Sequence, residues 1–117
     1  MKSLLILHNA PYGDERCYNA LRLSLALLKA DPETEVTIFL MADAVAAAKA
    51  NQSTPEGYYN IERMLKRVLA GKGKVLLCGT CMDARGLRDN ELLQGAQRST
   101  MDELAQQTAN SDRALVF

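Results

Sequence analysis

Short, unbroken apolar runs alternate with helix-forming segments from one end of the chain to the other, and this alternation limits the fold more than any other feature. Leu4-Leu5-Ile6-Leu7 and Val36-Thr37-Ile38-Phe39-Leu40 are the first two runs, and Lys74 to Leu77 is the third. A continuous apolar run of this length marks a strand buried on both faces, as in a parallel sheet. Between the first two runs lies a long Ala- and Leu-rich segment from Asp14, read as the N-cap, to about Lys29. Its leucines alternate at 21, 23, 25 and 27, but its length, cap and 21, 25, 28 spacing predict a helix that is apolar on more than one face. Asp43 is placed to cap an Ala-rich helix over 44–50, and 51–57 reads as a loop. Ile61, Met64, Leu65, Val68 and Leu69 make one stripe of a third helix that Gly71 and Gly73 end. Segment 86–99 carries the weakest pattern, with a helical turn at 91–93 and a short strand at 96–98. Thr100 to Glu103 matches a capping box opening a last helix to about Ala109, and 113–117 reads as a terminal strand.

Repeated strand–helix units in 117 residues predict one domain over 1–117, a three-layer α/β/α fold with a mostly parallel sheet of about five strands. Ligands of such sheets bind outside the carboxyl ends of the strands. Asn9 follows the first strand, Asp43 the second and Cys78 the third, so all three are expected on one edge.

Cys78-Gly79-Thr80-Cys81 carries the clearest chemistry. A Cys-x-x-Cys pair where a strand enters a helical turn can hold one thiol as the nucleophilic thiolate with a second within reach. Arg85, before Gly86, adds a positive charge nearby. The competing reading makes both cysteines small buried hydrophobes. Thioredoxin-like chemistry is disfavoured because Pro11, Pro32 and Pro55 all precede the motif. Zinc is disfavoured too: Cys17 and His8 add two ligand types but no second closely spaced pair. Cys17 falls about one turn into the first helix, where the positive end favours a thiolate and a half-buried packing role competes.

Charge narrows the class further. Lys and Arg number 14, as do Asp and Glu, which argues against nucleic-acid or anionic-lipid binding. No membrane span or leader is read, and three cysteines without a disulfide framework suit a reducing cytoplasm.

The segments Asn9-Ala10-Pro11-Tyr12-Gly13, Phe39 to Val45 and Cys78 to Gly86, in this order, resemble the DsrE/DsrF-like family, especially its YchN-like branch. Tyr58-Tyr59-Asn60-Ile61 and the C-terminal helix and strand extend the resemblance over the whole chain. It implies a homo-oligomer, a hexamer above all, that relays sulfane sulfur as a cysteine persulfide between donor and acceptor proteins. It also implies that Cys78 is the sulfur carrier, a possible persulfide sulfurtransferase centre, since the reactive cysteine of sulfur-relay members precedes an Arg-Gly pair by the same distance. Arg85 and main-chain N–H groups would then stabilise the anion, and Asn9 and Tyr12 would line the pocket. Cys81, absent from many such members, would allow a disulfide. No cofactor or metal is required. The alternative class is a non-catalytic oligomeric protein whose Cys-x-x-Cys serves as a redox switch or docks a partner.

Overall fold

A computed structural model describes residues 1–117 and contains five strands in one all-parallel sheet. The strands are β1 (Lys2–Leu7), β2 (Glu35–Leu40), β3 (Lys74–Cys78), β4 (Gln97–Ser99) and β5 (Arg113–Val116). Their spatial order is β4-β3-β2-β1-β5, with Leu5 opposite Ile38 and Leu115, and Ile38 opposite Val75. The helices are α1 (Arg16–Ala30), α2 (Ile61–Ala70), α3 (Gly79–Ala84) and α4 (Met101–Asn110).

Strand side chains alternate between two layers. Leu5, Leu7, Val36, Ile38, Leu40, Val75 and Leu77 face the larger core, which α1 and α2 complete with Cys17, Ala20, Leu21, Ile61, Leu65 and Val68. Leu4, Phe39, Leu76 and Cys78 face the opposite way and meet Leu104 of α4. This is the expected three-layer arrangement. Its second face is thinly covered, because one ten-residue helix must span it. On α1 the buried residues 17, 20, 21 and 24 follow helical spacing, while Leu23 remains exposed. Leu25, Leu27 and Leu28 are partly buried against the same core as Leu21, so of the alternating leucines only Leu23 is left outside it.

Local departures from the predicted elements have identifiable causes. Helix α1 starts at Arg16 rather than after Asp14, whose carboxylate accepts the Arg16 N–H at 2.7 Å. The Ala-rich helix is a 3₁₀ helix, Ala42–Ala48, and Asp43 lies inside its first turn rather than at its cap. This short segment is pinned at both ends: Met41 N–H donates to the Leu7 carbonyl, and Leu93 N–H donates to the Ala48 carbonyl. In the region of weakest pattern, the helical turn is 3₁₀ at Asp89–Glu91 and the strand is shifted by one residue. Thr100 caps α4 by accepting the Glu103 N–H, but Glu103 turns away to accept the Ser99 hydroxyl at 2.6 Å.

The loop from 51 to 60 is built rather than loose. Asn51 and Gln52 donate their main-chain N–H groups to the Glu62 carboxylate, and the Gln52 amide donates to the carbonyls of Ala47 and Lys49. Above it, Tyr59 stacks against Tyr12, Tyr18 and Tyr58 with ring centroids 5.8, 4.3 and 4.5 Å away.

One buried polar atom lacks a partner: the hydroxyl of Ser3, a residue only 2% exposed. Burying a hydroxyl without a hydrogen bond costs about 1–3 kcal/mol. Replacing it with a methyl should therefore help. We expect Ser3→Ala to raise unfolding stability by about 1 kcal/mol, read as a higher urea midpoint at unchanged slope; a lower midpoint would show that the hydroxyl is satisfied in solution.

Candidate functional site at the carboxyl edge

Three strands in a row, β1, β2 and β3, lead into segments packed on the larger core, whereas β4 leads into α4 on the opposite face. The winding thus reverses between β3 and β4, which opens a crevice where parallel α/β sheets place their ligands. A cavity of about 640 Å³ lies there. Its walls include Met41 beyond β2, Cys78 at the end of β3 with Cys81 beyond it, and Arg98 on β4 with Met101 beyond it.

Cys78 is the last residue of β3 and the N-cap of α3. Its sulfur accepts the Cys81 N–H at 3.4 Å, so the thiol and its neighbour share one turn. The residue is 7% exposed, with the second cysteine more open than the first. Burial pushes the Cys78 thiol above the ordinary cysteine range, with the Cys81 side chain adding to the rise; the N–H groups of Cys81 and Thr80 pull the other way. The turn therefore does not hold a resting thiolate at neutral pH. It offers N–H donors to an anion once that anion forms.

The other residues singled out from the sequence are placed differently. Arg85 does not face the sulfur. Its guanidinium donates to Asp43 at 2.9 and 3.0 Å and to the Cys81 carbonyl at 3.0 Å. Asp43 and Arg85 thus form a tie between the segment after β2 and the end of α3. Gly86, at φ +65°, then turns the chain away, with Leu87 N–H closing onto the Met82 carbonyl. Asn9 reaches the shared edge but lines a separate cleft with His8 and Arg16, and its amide donates to Asp14. Tyr12 is not in the cavity either. Its hydroxyl donates to Gln52 at 2.6 Å and accepts the Ile61 N–H at 3.0 Å, locking the 51–60 loop onto α2. Cys17 is fully buried, and its S–H donates to the Asn9 carbonyl at 3.0 Å. Burial, with the Asp14 charge behind it, pushes this thiol up to about 12, overriding any gain from the helix end.

Sequence reasoning missed Arg98. From β4 its guanidinium donates to the Gly79 carbonyl at 3.1 Å, to Asp83 at 3.0 Å and to Asp89 at 2.8 Å. Gly79 is shaped to it: a Cβ there would sit 2.8 Å from the guanidinium and 3.2 Å from the Ser99 carbonyl. The one local signal was the Gly in Cys78-Gly79, since close backbone approach calls for glycine. Nothing in the weak pattern of 86–99 aligned Arg98 with it. No group of three or more His, Cys, Asp or Glu side chains is arranged to hold a metal ion.

Comparison with known proteins agrees with this architecture. The family described as DsrE/DsrF-like matches residues 1–117. Protein YchN of Escherichia coli K12 is 40% identical over 116 residues, covering 99% of this chain and 98% of its own. Protein MJ0989 of Methanocaldococcus jannaschii is also 40% identical, over 118 residues and the full length of both chains. The crystal structure of the E. coli ychN protein superposes with a TM-score of 0.92 at 41% identity, covering all of both chains.

Two outcomes are expected. Brief alkylation of the folded protein at pH 8, followed by peptide mapping, should label the Cys-x-x-Cys pair and spare Cys17; labelling of Cys17 at a comparable rate would show that its core opens freely. Tyr12→Phe should lower stability by about 1–2 kcal/mol, because it leaves the Ile61 N–H without a partner and takes from the Gln52 side-chain oxygen the shorter of its two hydrogen bonds. Alkylation of the Cys-x-x-Cys pair should be unchanged in that variant, and a fall in its rate would put Tyr12 in the site after all.

Proposed function

Because this chain belongs to the DsrE/DsrF-like family, we propose that it is a sulfur-relay protein carrying sulfane sulfur as a persulfide on Cys78. The observation that supports this reading best is the position of the Cys78 sulfur, at the winding reversal and in a cavity, under the N–H groups of its own turn. A persulfide is a stronger acid than a thiol. The N–H donors that fail to ionise the resting thiol would serve the more readily formed persulfide anion.

In this reading Cys78 ionises, attacks the terminal sulfur of a donor persulfide and takes it, releasing the donor as a thiolate. An acceptor thiolate later removes the sulfur by the same exchange in reverse. Arg98 holds the Gly79 peptide, which keeps the following N–H groups in place. Arg85 steadies the far end of the turn through the Cys81 carbonyl instead of touching the sulfur. Cys81 supplies an exit: its attack on the inner sulfur of a Cys78 persulfide expels hydrosulfide and leaves a disulfide. The same pair, three residues apart and joined by the Cys81 N–H, also favours the second reading of a redox switch without sulfur carriage.

We further propose that the protein works as a homo-oligomer, a hexamer, in the cytoplasm. Leu23, Tyr58 and Val116 are large apolar side chains left exposed away from the cavity on a chain with no net charge, and self-association would cover them. No helix is long and apolar enough to cross a membrane.

Intact-mass spectrometry after incubation with a persulfide donor tests the proposal. Wild type should gain about 32 Da, the mass of one added sulfur in a persulfide. Cys78→Ser should gain nothing, and Cys81→Ser should hold the adduct longer. Loading should quicken as pH rises, because a thiol pushed above the free-cysteine value of about 8.5 ionises only in that direction. Loss of two hydrogens with no adduct would favour the redox switch, and adducts on Cys81 alone would reassign the carrier.

A further inference from the structure

The charges around the Cys78 cavity are arranged with the acids outward. Asp43 pairs with Arg85, and Asp83 and Asp89 share Arg98. In each pair the carboxylate side chain is the exposed partner, 66–69% against 36% for either guanidinium. Both arginines are also spent on main-chain carbonyls, of Cys81 and Gly79. No lysine lines the cavity. Asp83 and Arg98 line the cavity itself, and Asp43, Asp89 and Arg85 stand outside its lining, so the three carboxylates outnumber the two guanidiniums only around the opening, where the carboxylates are the more exposed members. Between these acids the floor is uncharged, with Met41 and Met101 beside the two cysteines.

We infer that the persulfide donor for Cys78 presents a positively charged surface, a cysteine persulfide flanked by lysine or arginine, and that anionic donors are disfavoured at this site. The inference rests on the sulfur-carrier reading and names the charge class of its donor. A relay built for free polysulfide anions would leave a guanidinium or ammonium open to hold them. Here both guanidiniums are already paired, and the carboxylates, one more in number and more exposed than their partners, meet an anion first. A cationic partner gains on approach, since surface charge raises association rates by about tenfold or more at low salt.

The chemical step balances without an oxidant. Cys78 loses its proton to solvent, and its thiolate forms a bond to the donor's terminal sulfane sulfur as the donor's own S–S bond breaks. The bond's electron pair leaves with the donor as a thiolate, which takes a proton from solvent. One sulfane sulfur has moved, and nothing has been oxidised or reduced overall.

Two synthetic persulfide peptides test this, identical but for lysines or glutamates flanking the cysteine, with inorganic polysulfide as a third donor. Loading of Cys78 is followed by intact mass at increasing sodium chloride. The lysine peptide should load about tenfold faster than the glutamate peptide at low salt. The ratio should collapse towards unity near 1 M salt, where the screening length is about 3 Å. In Asp83→Asn/Asp89→Asn the Arg98 guanidinium is unmasked, and the preference should shrink or reverse. Equal rates, or faster loading from the glutamate peptide or from polysulfide, would overturn the inference while leaving Cys78 a sulfur carrier. If no donor loads Cys78, the sulfur-carrier reading itself fails. The salt dependence of the unsubstituted protein decides the matter should the double variant not fold.

Discussion

A parallel strand can be joined to its neighbour only by a crossover, and each crossover must choose a face of the sheet. In this chain α1 and α2 both choose the same face, and the large core forms there. The other face is left to α4, which must run back from β4 across the sheet to deliver β5 beside β1. This single reversal determines where the molecule is open. It separates the segments after β3 and β4, and the crevice between them is where Cys78 ends its strand. The thin cover of the second face follows from the same constraint, because one helix is all that the remaining chain supplies.

Arg98 joins the two sides of that opening. It stands on β4, reaches across to the first peptide of α3, and draws Asp83 and Asp89 in with it. Exposed ion pairs contribute little stability individually. The geometry matters more than the energy here: without this link, the three-residue edge strand and the turn at 89–91 would have few ties to the cysteine turn. Gly79 records the arrangement from the other side, having given up a side chain to admit the guanidinium.

The fold was readable because its strands are buried on both sides. Leu4 to Leu7 and Val36 to Leu40 are apolar on both faces but for Thr37, so their class, and with the intervening helices the mostly parallel sheet, followed from the pattern, whereas the strand order did not. Cys78 was readable for a similar reason, as it ends such a run. Position along the edge was visible, but distance was not. Asn9, Asp43 and Cys78 do share the carboxyl edge, yet the side chain of Asn9 turns to Asp14 and that of Asp43 to Arg85. Tyr12 shows the same limit, since its partners Gln52 and Ile61 lie 40 and 49 residues on. Such pairings are made by tertiary packing, which no local pattern encodes. The 3₁₀ form of Ala42–Ala48 is another case, with an Ala-rich composition that favours an α-helix overridden by main-chain bonds to β1 and to the segment before β4.

The chain has no tryptophan, and its four tyrosines all meet around Tyr59. Nearly the whole near-ultraviolet spectrum of this protein therefore originates at one spot, where the 51–60 loop lies against α1. Stacked rings couple electronically, and the coupling vanishes when they part. Native absorbance and circular dichroism near 280 nm thus act as a label already written into the molecule: they watch that loop and are blind to the cysteine turn, so the two regions can be followed separately without adding a dye.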